Sequence, residues 1–114
     1  MTRLRLLIVA LALISVSACA ELSGVADQTA RDAAKDAARP IVEAQFPGLP
    51  AAPIVDCVIE HAEWSEILEL ARAATLGPTS ETQRVVIAIA SRPDTVRCIA
   101  QAQAEAFIAE RIAL

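Results

Sequence analysis

Val85-Val86-Ile87-Ala88-Ile89-Ala90 is the most apolar run of the chain downstream of residue 20, and the fold class turns on it. Its β-branched content suits a strand, and a run this short does not separate a buried strand from a buried helix by periodicity. No neighbouring segment offers a partner strand, whereas both flanks carry helix punctuation, so the run is assigned to a central helix. Upstream, Gly77-Pro78 stops a preceding helix. Thr79 and Ser80 are both N-cap residues, and Gln83 completes a capping box with Ser80. Downstream, Ser91-Arg92-Pro93-Asp94 supplies a cap, a first-turn proline and an acid at the positive end of the helix dipole. The last helix is expected to run to about Arg111. Its main apolar face is Val96, Ile99, Ala100, Ala104 and Phe107, with Cys98, Ala102 and Ala109 on another side.

Before Gly77, the chain carries two apolar stripes at 3–4 spacing. Ile54, Val55, Val58, Ile59 and Ala62 form the first; Trp64, Ile67, Leu68, Ala71 and Thr75 form the second. At about 100° per residue the two point in roughly opposite directions, which predicts a break near Ala62–Ser65. Pro53 suits the first position of the first of these helices. The preceding Pro47-Gly48-Leu49-Pro50-Ala51-Ala52-Pro53 holds three of the six prolines, and no helix is expected to cross it. Pro40 is expected to interrupt the helix before it or to start a short one over Ile41–Phe46. Glu21–Arg39 is polar and alanine-rich, with Asp27/Arg31, Asp32/Lys35 and Asp36/Arg39 at ion-pair spacing. Its seam of Ala26, Ala30, Ala33 and Ala37 buries little area, so a weakly held tether is expected.

The N-terminus has the order of a secretory leader: Arg3 and Arg5, an unbroken apolar run from Leu6 to Ile14, then small residues. Val16-Ser17-Ala18-Cys19 resembles the lipobox of bacterial lipoproteins. That resemblance implies cleavage before Cys19 and acylation of its sulfur and new amino group. More than one acyl chain anchors a protein firmly, at about 0.8 kcal/mol per buried methylene. Ala20, in place of the aspartate that retains enterobacterial lipoproteins at the inner membrane, implies the outer membrane, facing the periplasm. Two other readings stay open. Ala18-Cys19-Ala20 fits ordinary signal cleavage that frees a chain starting at Glu21, and the uncharged run Leu6–Ala20 is short for an uncleaved span.

Removing residues 1–18 leaves 96 residues and shifts the formal charge from −4 to −6, because only Arg3 and Arg5 are lost. An acidic chain without a basic cluster is no nucleic-acid binder. One tryptophan and two phenylalanines, with no tyrosine, make neither a sugar-stacking nor a base-stacking platform. Cys57 and Cys98, on two predicted helices of an exported chain, are expected to form a disulfide. Cys57 and His61 lie at i,i+4, with Glu60 adjacent, and with Cys98 they make the sharpest metal candidate. With a single histidine and no CxxC pair, no metal and no other cofactor is expected. Glu60, Glu63, Glu66 and Glu69 recur every three residues, the pattern of a solvated helix edge. No G-x-S-x-G or glycine-rich phosphate loop is present. Neither catalysis nor a small-molecule substrate is expected.

The expected architecture is all-α: a small four- to five-helix bundle with one disulfide, preceded by a cleaved signal peptide. Residues 1–18 are the leader, 19–52 a polar helical tether and Pro/Gly linker, and 53–114 the disulfide-clipped domain. This plan is similar to that of secretion pilotins, helical lipoproteins whose disulfide-braced bundle receives a helix from a partner secretin. The likeness is architectural and implies a groove, here expected between Ile67, Leu68, Val86 and Ile89. The expected function is thus a membrane-anchored envelope lipoprotein acting as a non-catalytic accessory or protein-binding module. A small helical periplasmic chaperone is the alternative.

Overall fold

A computed structural model describes the backbone of residues 1–113 and the side-chain surroundings of residues 1–12 and 24–113. The described residues form five helices and no strand: α1 (Thr2–Gln45), α2 (Ala51–Glu60), α3 (Trp64–Leu76), α4 (Ser80–Ala90) and α5 (Pro93–Ala113). Val85–Ala90 is helical within α4. Val86, Ile89 and Ala90 enter the core at helical spacing, while Ile87 and Ala88 stay exposed. Among the described residues, no helix is long and apolar enough to cross a membrane.

Most helix ends fall where local chemistry puts them. Gly77 closes α3 at φ +95°, a conformation that costs a side chain strain, and its N–H reaches the Ala73 carbonyl at 2.9 Å. Thr79 caps α4 by accepting from the Thr82 N–H, and the Thr82 hydroxyl oxygen accepts from the Thr79 N–H at 3.0 Å. The reciprocal partner is therefore Thr82, where Ser80 and Gln83 were expected to pair. Pro93 opens α5, and Ser91 serves instead as the last residue of the α4 turn. Helix α2 begins two residues before Pro53, which still lies in the first turn and needs no N–H partner.

The core joins α1, α2, α3 and α4 through Ala34, Ala38, Val42, Ile54, Val55, Val58, Ile59, Ile67, Leu70, Val86, Ile89 and Ala90. Helix α1 packs mainly along α3 and α2, and α5 rests mainly on α2. Three expectations change here. Helix α1 runs through Pro40, whose ring faces water, because Ala37, Ala38 and Val42 on the opposite side are held in the core. Of the expected seam, Ala37 is buried, Ala30 and Ala33 are half-buried and only Ala26 is exposed, while the buried set is Ala34, Ala37, Ala38 and Val42. The packed unit thus extends upstream of the expected boundary at Pro47–Pro53. Alanine contributes here by letting backbones approach, a gain in packing that area arguments on α1 alone do not show.

Helix α5 is rotated from the expected face. Thr95 is buried and Cys98, Ile99, Ala102 and Gln103 are half-buried, while Val96 and Phe107 are exposed. The bond from Cys98 to Cys57 holds the two Cα atoms 5.7 Å apart and turns that side of α5 inward. Helix α3 likewise buries Ile67, Leu70 and Ala73 and leaves Trp64 and Leu68 about half exposed.

Candidate functional site

The expected groove does not form. Ile67, Val86 and Ile89 are at most 1% exposed inside the core, whereas Leu68 lies outside it at 47%. The amphipathic helices spent those side chains on one another, which is the larger gain at about 25 cal/mol per Å² of apolar surface.

An open apolar cleft of about 370 Å³, sharing Val86 with the expected groove, lies where the end of α1, one side of α4 and the start of α5 converge. Its lining is Gln45, Phe46, Val86, Ile87, Ala90, Ser91 and Val96. Ile87 and Val96 remain 40% and 50% exposed, so two large apolar side chains stand in water at one place. No sequence signal marked Val96, which was expected on the main apolar face of α5 and is exposed in the structure.

Arg92, next in sequence to Ser91, forms an ion pair with Glu66. The Arg92 guanidinium donates to Glu66 Oε1 and Oε2 at 2.8 and 2.7 Å and to the His61 carbonyl at 3.0 Å. Glu66 also accepts the Glu63 N–H at 2.8 Å, capping α3. Partial desolvation pushes the Glu66 carboxyl up, but the Arg92 and Glu63 hydrogen bonds and the guanidinium charge together hold it below the usual carboxylate range. One carboxylate therefore joins the α2–α3 turn to the α4–α5 turn. Of the expected glutamate edge, Glu60 and Glu63 are exposed, while Glu66 and Glu69 are half-buried and paired with arginines.

The Cys57 and Cys98 sulfurs sit at bonding distance, 2.11 Å, clipping α2 to α5. Beside them is a second cleft, about 330 Å³, lined by Glu60, His61, Asp94, Arg97, Cys98 and Gln101. His61 sits there because it ends α2, its N–H accepted by the Cys57 carbonyl at 3.2 Å. No serine or threonine lines this cleft, so His61 has no hydroxyl nucleophile to activate there. The side chain of Cys19, the expected lipidation residue, lies outside the described residues.

Among the described residues, the geometry defines a disulfide-clipped, all-helical protein with an apolar cleft on α4 and a more polar one beside the disulfide. No protein-family model matches the chain, and comparison with curated proteins and with solved structures gives no match either.

Proposed function

We propose that this chain is a lipid-anchored lipoprotein of the cell envelope, in the outer membrane facing the periplasm, and acts there as a non-catalytic accessory or protein-binding module. The cleft at Phe46, Ile87 and Val96 carries the binding half of this reading. Its exposed apolar side chains and open groove suit a partner helix that lays its apolar face across α4. The anchoring half is supported by the leader and by Val16-Ser17-Ala18-Cys19. Leu4, Leu6, Leu7, Ile8 and Val9 are each more than half exposed. With the leader removed, α1 would hold Cys19 about 16 Å from Ala30, where packing begins, at about 1.5 Å per helical residue. The tether would then be a helical spacer.

Intact mass of protein purified from membranes tests the anchor. A chain lacking residues 1–18 and carrying acyl chains is expected, and an unacylated chain starting at Glu21 would contradict it. Photo-crosslinkers at Ile87 and at Val96 are expected to capture one and the same envelope protein. A crosslinker at Leu76, exposed and away from the cleft, is expected to capture none, and equal capture at all three would count against the cleft.

The Glu66–Arg92 pair favours the chaperone as second reading. Its loss on acidification would free the α4–α5 turn, where Ser91 lines the apolar cleft. Protection of an aggregating client at low pH that disappears with Ile87→Asp would select this reading over the first.

A further inference from the structure

We propose that the Cys57–Cys98 clip, once reduced, becomes a metal site for a borderline divalent ion such as Zn²⁺, held by both thiolates, His61 and Glu60. This inference is independent of the apolar cleft and of the anchor.

Its basis is the donor set at the end of α2. One ligating atom each of Glu60, His61 and Cys98 lie within 4.8 Å of one another. Cys57 is bonded to Cys98 and lies one helical turn before His61, which puts a fourth donor next to these three. With Zn–S near ~2.3 Å and Zn–O near ~2.0 Å, a tetrahedral ion sets sulfur–oxygen edges of about 3.5 Å. Glu60 Oε2 stands 4.0 Å from Cys98 Sγ, close to that edge. The sulfurs are instead too close while bonded, and only separate thiolates can occupy two corners of a tetrahedron. The disulfide and the metal therefore exclude each other.

The chemistry balances in two steps. A dithiol reductant transfers two electrons and two protons to the Cys57–Cys98 bond, giving two thiols and leaving the reductant as its own disulfide. The ion then displaces both thiol protons to solvent and gains two sulfur ligands. Two thiolates, a carboxylate and a neutral imidazole around a divalent ion carry a net charge of about −1, from the ordinary ligand states. Arg97 and Asp94 line the same cleft, their charged groups 3.9 Å apart. The ion would hold α2 to α5 where the disulfide did.

The test uses the full chain with Cys19→Ala, so that Cys57 and Cys98 are its only cysteines, reduced with a phosphine under anaerobic conditions and titrated with Co²⁺. Expected are one equivalent bound, a thiolate-to-cobalt charge-transfer band, intense tetrahedral visible bands, and displacement by Zn²⁺. The oxidised chain is expected to give none of these. His61→Ala is expected to weaken binding at least about 10-fold, the cost known even for outer-shell partners. Circular dichroism runs alongside: if reduction unfolds the chain, the metal is expected to restore helicity. Absence of the thiolate band, unchanged affinity in His61→Ala, or a reduced chain that the metal does not refold would each overturn the proposal.

Discussion

Glu66 is the described carboxylate with the most to lose, because it caps α3, pairs with Arg92 through both oxygens and is mostly buried. Glu66→Gln is expected to lower stability at neutral pH by about 1–2 kcal/mol, between the cost of an exposed pair and that of a broken buried one. The pH dependence follows from linkage. Since the folded pKa lies below the unfolded one, the stabilisation is present above the ordinary glutamate value of about 4.3 and is lost as pH falls through the folded value. Urea unfolding from pH 7 to pH 3 should show the wild-type advantage over Glu66→Gln shrinking in that window, and a constant gap would contradict it. Thr95 makes the opposite case: its hydroxyl is fully buried on the first turn of α5 with no hydrogen-bond partner. Thr95→Val keeps the branched shape and removes the orphan oxygen, so a gain of about 1 kcal/mol is expected, roughly 4–8 °C in Tm. A fall in Tm would contradict the missing partner. Neither residue was legible in the sequence beyond its type. Glu66 belongs to a run of acids at spacing three, and its partner lies 26 residues away.

Among the elements, helix ends were easier to read than helix faces. Gly77-Pro78 and Pro93 act through their own backbones, and the structure ends and starts helices at them. Faces depend on what packs opposite, so α1, α3 and α5 each present a set of residues different from the expected stripe. Pro40 shows the same override, since tertiary burial of Ala38 and Val42 carries α1 across a residue that breaks helices in isolation. The proline still costs the helix a backbone hydrogen bond. Pro40→Ala is therefore expected to stabilise the protein by about 1–3 kcal/mol, measured by thermal or urea unfolding. No gain would mean that α1 is not continuous there.

For the molecule as a whole, stability is concentrated in α1–α4 and the first turns of α5. From Ala104 to Ala113 no residue is buried, and the Arg111–Phe107 cation–π contact lies inside that segment. Deleting residues 105–114 is expected to change unfolding free energy by no more than about 0.5 kcal/mol, the scale of surface changes. A larger loss in chemical denaturation would show that the end of α5 is docked. The disulfide acts globally instead: it joins residues 41 positions apart in the sequence. Reduction is expected to cost about 4 kcal/mol in the chain-entropy description, seen as a lower midpoint in metal-free urea unfolding.

The sequence by itself determined the all-helical class, the break between α2 and α3, the stop at Gly77 and the pairing of Cys57 with Cys98. These follow from local backbone chemistry, from alanine and proline placement, and from there being two cysteines in the packed part of the chain. Only the tertiary structure decided that Ala34, Ala38 and Val42 belong to the core and that Ile67, Val86 and Ile89 are sealed. It also decided that the open cleft falls at Phe46, Ile87 and Val96. The reason is geometric: a helix declares which residues share a side, but the partner's shape and the fixed Cys57–Cys98 separation choose which side turns inward.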